Sequence, residues 1–237
     1  MTVLKDIKEL YTSILHLVYP EQCICCELEL SSAEKHLCTI CKNELHYTDY
    51  EKYTDNTALD KLFWGRVQVE AIFSLLYYKK NEQSRRILHR LKYNNRPDLA
   101  RHMGELIGER ILKTAPFDKA DLLIPIPIHE KKRYIRGYNQ SEEIAKGIHA
   151  KTEIPIHNSF LIRSVHTESQ TKKGKFERWE NVQGSFALSG ELPASVKHVI
   201  IVDDVITTGS TLETIIRLIK ENYKIDVSVI SIAYAGG

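Results

Sequence analysis

The sequence predicts an α/β protein, a mainly parallel sheet flanked by helices, preceded by a small N-terminal module built on four cysteines. Three observations carry this expectation. From residue 61 onward, short apolar runs alternate with stretches of helical spacing, the pattern of strands covered on both faces. All five cysteines of the 237-residue chain lie between positions 23 and 41, and four of them form two CxxC pairs. Charge is also divided: residues 1–60 hold 5 Lys and Arg against 11 Asp and Glu, a net of −6, whereas residues 61–237 hold 28 against 20, a net of +8. The expected organisation is an N-terminal helix and cysteine module over 1–60 and a larger domain over 61–237. The basic excess suits the larger unit to an anionic ligand.

Taken in order, the chain opens with Val3, Leu4, Ile7, Leu10, Tyr11, Ile14, Leu15 and Val18 at helical spacing, ended by Pro20. This reads as an amphipathic packing helix; it lacks the basic face of a membrane-surface helix. The charges in 'MTVLKDIKEL' argue against a signal peptide, and no apolar run approaches a membrane span of ~20 residues. A cytoplasmic location without membrane insertion is expected.

Cys23-x-x-Cys26 and Cys38-x-x-Cys41 follow, with eleven residues between them. Paired knuckles of this kind bring four thiolates to a tetrahedral Zn²⁺. One structural ion per chain would supply the binding energy that so small a segment cannot obtain from a core. A disulfide framework is the weaker alternative in a cytoplasmic chain. Cys25, adjacent to Cys26, reads as a bystander or an oxidation site. Four thiolates on zinc add a further −2 to an acidic region, which argues against this module gripping a nucleic-acid backbone.

'VQVEAIFSLLY' (67–77) partly alternates and reads as a strand. 'EQSRRILHRLKY' reads as a helix, and so does 'PDLARHMGELIGERIL', with Pro97 at its start and Leu99, Met103, Leu106, Ile107 and Ile111 on one face. 'DLLIPIPI' is a short strand followed by a basic loop and the helix 'NQSEEIAKGIHA'. A short strand near 'SFLI' precedes a polar stretch from Arg163 to Gly184. 'KHVIIV' is an apolar strand, 'STLETIIRLIKE' a helix and 'KIDVSVISIAYA' the last strand.

In an open α/β sheet ligands bind at the carboxyl ends of strands. Asp203 and Asp204 lie where 'HVIIV' ends, and Thr207 to Thr211 lead into a helix. Unsatisfied N–H groups at a helix N-terminus suit a phosphate, Gly209 allows close approach, and the Thr and Ser hydroxyls add donors. The carboxylates accept hydrogen bonds from a sugar diol. The set describes a binder of a ribose 5-phosphate; the alternative is a turn with a threonine-capped helix.

'VIIVDDVITTGST' resembles the PRPP-binding signature of type I phosphoribosyltransferases. The resemblance implies that fold. It also implies that Asp203 and Asp204 hold the ribose hydroxyls at the catalytic centre, and that PRPP contacts run through Val205, Ile206, Thr207, Thr208, Gly209, Ser210 and Thr211. Mg²⁺ would bridge pyrophosphate and ribose oxygens. A narrower resemblance rests on 'RGYNQSEEIA', the double knuckle, 'LKYNNRPDLA' and 'TESQTKKGKFERWENVQGSF', which together are similar to the ComF family, linked to DNA uptake in competence. One departure is Glu27, where family members often carry glycine.

The family likeness implies a pyrophosphate cup in 'PIHEKKRYIRGYNQ', assigned to Lys132, Arg133 and Arg136 beside Lys131, and a flexible loop with Gln170, Thr171 and Arg178. Lys92 and Arg96 form a further basic pair, and His102, His129 and His149 are candidate bases. The implied activity is phosphoribosyl transfer to an acceptor, and the first residues Met1-Thr2 offer no cysteine for glutamine-dependent chemistry. The alternatives are a non-catalytic PRPP or nucleotide sensor that docks a partner of the DNA uptake machinery through its zinc module, and, more weakly, direct binding of single-stranded DNA.

Overall fold

The computed structural model describes residues 21–52, 57–79, 82–163 and 185–236. The helix expected over 2–18 and the loop residues Gln170, Thr171 and Arg178 lie outside the described residues. The elements in order are α1 (Thr39–Asn43), α2 (Ala58–Lys61), β1 (Ile72–Tyr77), α3 (Gln83–Tyr93), α4 (Pro97–Ile111), β2 (Leu122–Pro125), α5 (Glu130–Arg136), α6 (Gln140–Thr152), β3 (Leu161–Arg163), β4 (Phe186–Leu188), β5 (His198–Ile206), α7 (Ser210–Asn222) and β6 (Asp226–Tyr234).

The main sheet runs β1-β6-β5-β2, and every pairing in it is parallel. Its central strands carry the longest apolar runs because both of their faces are covered: Val199 to Val202 in β5 and Val229, Ile230, Ile232 and Ala233 in β6 are fully buried. The outer edges are covered as well. Tyr47 pairs antiparallel with Leu76 of β1, and Ile156 pairs parallel with Leu123 of β2.

From β2 the chain passes through α6 to Ile156 on the outer side, whereas from β5 it passes through α7 to β6 in the opposite direction. Right-handed crossovers that step apart leave a crevice at the carboxyl ends of the two strands between them, here β2 and β5. α4 and α6 cross closely because glycines remove the side chains between them. A Cβ on Gly104 would lie 2.1 Å from the Ile144 carbonyl oxygen, and one on Gly147 would lie 2.0 Å from that of Arg101.

Three elements differ from expectation. β5 continues through Ile206 rather than ending at Val202, since β6 supplies a neighbour as far as Tyr234. The basic loop after β2 contains the helix α5, capped by His129 and ended by Gly137 in the left-handed region (φ 77°). None of its residues is buried, so no apolar period announced it. β3 pairs antiparallel with β4, three residues too short to show a period of two. Among the described residues no helix is long and apolar enough to cross a membrane.

The α4–α6 contact gives a direct test. Gly147→Ala forces a methyl into backbone and is expected to lower stability by about 2 kcal/mol or more in urea unfolding; an unchanged midpoint would contradict the close crossing.

Candidate functional site

The four CxxC cysteines converge: their Sγ atoms all lie within 4.8 Å of one another, and those of Cys26 and Cys38 are 3.7 Å apart. A tetrahedral thiolate site with metal–sulfur bonds of ~2.3 Å has edges of about 3.8 Å, so the set could hold a metal ion. Backbone N–H groups of Cys38 and Cys41 donate to the Sγ atoms of Cys23 and Cys38, each at 3.4 Å. Cys25 is 2% exposed, and burial pushes its thiol up to about 12, which suits the bystander rather than the oxidation site. Glu27 occupies the left-handed region (φ 63°) that favours glycine. Its carboxylate accepts from Arg90 of α3 at 3.1 Å, a contact that glycine lacks.

Asp203 and Asp204 stand inside β5 rather than after it. β2 pairs with β5 only as far as Val202, whereas β6 continues alongside through Ile206. The pair therefore keeps one neighbouring strand and turns its bare edge to the crevice. Asp203 Oδ1 accepts the Asp204 N–H at 2.8 Å. Burial, and after it the charge of Asp204, push the Asp203 carboxyl up to about 7. Lys92 of α3 offsets part of this repulsion, with its Nζ 3.1 Å from Asp204 Oδ2.

The next residues turn into α7. Gly209 has a φ of 73° and caps the helix with no side-chain hydrogen bond, leaving the amides of the first turn without a side-chain partner. Thr207 and Thr208 are exposed, and the Thr208 and Ser210 hydroxyls lie 3.0 Å apart. Val205 is half-buried and Ile206 buried, and Thr211 lies within the first turn. A cleft of about 320 Å³ opens beside this turn, lined by Tyr78, Leu88, His89, Lys92, Val205 and Thr207 among others.

Besides Lys92, the Lys132 ammonium feels the charge of Asp204. Burial lowers the affinity of the Lys132 ammonium for its proton, and the charges of Arg136, Arg163 and Lys92 lower it further, opposed by Asp204. Arg136 donates to Gln140 Oε1 at 2.9 Å. Arg163, which closes β3, lies 5.3 Å from the ring centroid of Phe186. Nothing in its sequence context separated it from the polar stretch that it begins. Arg133 instead reaches Glu142 on α6 at 3.3 Å.

Other candidates lie apart from the pair. Arg96 clamps Asp98 at 2.8 Å and meets His36 of the cysteine module at 3.1 Å. The His102 ring packs on that of His36 at a centroid distance of 5.2 Å. His149 contacts the Ile154 carbonyl at 2.9 Å, near the far end of α6, and His129 caps α5.

The chain is similar to known proteins. The model of the phosphoribosyl transferase domain matches residues 139–235. The chain is 26% identical over 213 residues to Competence protein F of Haemophilus influenzae, spanning 87% of each protein. It is 26% identical over 216 residues to the Competence protein ComFC of Bacillus subtilis, across 89% of this chain and 83% of that protein. It is also 29% identical over 146 residues to the DNA utilization protein YhgH of Escherichia coli O157:H7, across 60% of this chain and 63% of that protein. The chain thus spans less than two thirds of YhgH and most of the two competence proteins.

The Asp203 carboxyl titrates above its unfolded value, so the native state holds that proton more tightly. This group's contribution to stability therefore falls as pH rises from the ordinary carboxylate range, ~4, through about 7. Asp203→Asn removes that cost: in urea unfolding it should exceed the wild type by on the order of 2 kcal/mol at pH 8 and differ little at pH 4. A gap that does not widen with pH would refute the assignment.

Proposed function

Starting from a chain that is a ComF-family protein with a phosphoribosyl transferase domain, we propose that it binds PRPP with Mg²⁺ and transfers the phosphoribosyl group to an acceptor in the service of DNA uptake. The observation that carries this reading is a juxtaposition. The carboxylate pair on the bare edge of β5 adjoins an uncapped helix N-terminus and is paired by Lys92, and the Lys132 ammonium feels Asp204 together with the charges of Arg136, Arg163 and Lys92. A ligand with a diol between two anionic groups suits all three.

In this reading Asp203 and Asp204 accept hydrogen bonds from the ribose hydroxyls. Val205 and Ile206 carry the strand into Thr207, Thr208, Gly209, Ser210 and Thr211, which hold the 5-phosphate. Lys132 and Arg136 hold pyrophosphate, and Arg133 joins them on leaving Glu142. Gln170, Thr171 and Arg178 are assigned to the same ligand by the family resemblance. As the C1–O bond breaks, its electron pair leaves with pyrophosphate and positive charge grows on the ribose ring. The cations stabilise the departing charge, and the held diol and phosphate keep C1 in place for the acceptor. A like-charged carboxylate pair with one lysine is short of positive charge, which fits Mg²⁺ beside it. When bound, that ion neutralises part of the pyrophosphate charge. The four cysteines hold one structural Zn²⁺, and the module they shape offers a docking surface for a partner of the uptake machinery.

The alternative is a PRPP or nucleotide sensor without turnover, which the same contacts would serve. Both readings place the protein in the cytoplasm.

Titration calorimetry with PRPP and Mg²⁺ should show binding to the wild type, and Asp203→Ala/Asp204→Ala should weaken it by about a hundredfold or more. Equal absence of binding in both would sink the proposal. Pyrophosphate release assayed across nucleobase, ammonia and DNA acceptors separates the two readings, since silence throughout favours the sensor. Metal analysis should return about one zinc per chain, and Cys38→Ser should lose the ion and unfold the module. A metal-replete, reduced protein without zinc would refute the site.

A further inference from the structure

The phosphate-suited turn does not stand alone. It rests on a short segment of chain about 140 residues earlier in the sequence. That segment starts at Thr57, whose side chain accepts the Asp60 N–H while the Asp60 carboxylate accepts the Thr57 N–H at 2.8 Å. Leu59 and Phe63 are buried and fix it to the body of the protein. It touches the turn at two consecutive residues. The Phe63 ring lies under Gly209, where a Cβ would come within 2.9 Å of its Cζ. Arg66 donates from Nη1 to the Leu62 and Thr208 carbonyls, each at 2.9 Å. From Nε it donates to Glu213 at 2.8 Å.

We propose that Arg66 is a positioning residue for the ligand, acting through the peptide between Thr208 and Gly209; this rests on the reading of that turn as a phosphate cup. A trans peptide is planar, with its C=O and N–H pointing in opposite directions. Holding the Thr208 carbonyl on the Arg66 side therefore aims the Gly209 N–H away from Arg66, and glycine accepts without steric cost the left-handed φ of 73° found there. The guanidinium is a rigid fork, so its grip on Glu213 and Leu62 sets where the third donor points.

Glu213 is 4% exposed, and its two oxygens are divided: Arg217 donates to Oε1 at 2.9 Å and 3.2 Å, and Arg66 donates to Oε2. Thr208 is exposed, so water would serve its carbonyl if Arg66 were absent. What water would not do is fix the direction of the next N–H. Pre-orienting donors matters when an anion arrives, because the cost of ordering them has then been met during folding.

The test compares Arg66→Ala, Arg66→Lys and Arg217→Ala with the full-length wild type. Two readouts are used: calorimetry with PRPP and Mg²⁺ and with ribose 5-phosphate, and amide hydrogen exchange over residues 208–212. Arg66→Ala should weaken both ligands by about tenfold or more and speed exchange at Gly209 and Ser210. Arg66→Lys keeps the charge but loses the fork, and should not restore affinity. Arg217→Ala breaks the pairing of the same buried carboxylate at Oε1 and a contact to the Arg66 carbonyl, and it leaves the Arg66 donor to Thr208 in place. It should lower the unfolding midpoint and leave affinity within about twofold. Equal losses in Arg66→Ala and Arg217→Ala would make the role structural and overturn the inference, as would an Arg66→Ala protein that binds like wild type. If the wild type binds neither ligand, the phosphate-cup reading falls. Unchanged exchange in both Arg66 variants would then overturn the tether on its own.

Discussion

Two carboxylates on consecutive residues of a central strand are the constraint around which the rest of the molecule is arranged. Successive strand residues point to opposite faces, yet Asp203 and Asp204 remain close enough that the charge of one raises the proton affinity of the other. A paired, covered strand would not tolerate them. They are accommodated because β2 stops at Pro125, opposite Val202, and leaves an open edge where β5 still has β6 beside it. The crevice and the carboxylates are thus consequences of the same mismatch in strand length. Among the described residues Lys92 supplies the one direct counter-charge, and its carbon stem reaches there because α3 ends beside the turn.

Helix α3 also links two regions that the sequence keeps far apart. Arg86 donates to the Cys25 carbonyl, Arg90 to Glu27, and Lys92 pairs with Asp204. The Leu91 carbonyl accepts from Tyr138 at 2.7 Å, which ties the same helix to the start of α6. One rigid element therefore carries contacts to the cysteine module, the carboxylate pair and the basic region after β2. The left-handed Glu27 belongs to this arrangement: its backbone conformation suits glycine better, and the ion pair with Arg90 is what the side chain gains.

Much of this was legible in the residues. The two CxxC pairs announced a four-thiolate cluster because metal ligation demands a fixed residue type at a fixed spacing. Pro97 marked the start of α4, Asn139 lies at the start of α6, and the apolar runs marked β5 and β6, since local propensity and burial agree there. 'DDVITTGST' announced a polar, ligand-suited turn against an apolar background. α5 was not legible, because no apolar stripe accompanies a helix that buries nothing. β4 was too short to read, and the end of β5 depended on a neighbour that the local sequence does not name.

The sequence by itself determined the parallel α/β class, the cysteine cluster and the placing of a carboxylate pair before a glycine turn. Those features depend on residue type and on spacings of a few positions, which the chain carries wherever it folds. Only the tertiary structure decided which cations meet that pair. Lys92 and Arg96 are four residues apart and look alike in sequence, yet one pairs with Asp204 and the other with Asp98 and His36. The charge of Arg163 acts on Lys132, while Arg133 turns to Glu142. The partner of a long, flexible cation is set by the field and space that distant segments create around it, and that information appears only once those segments have packed.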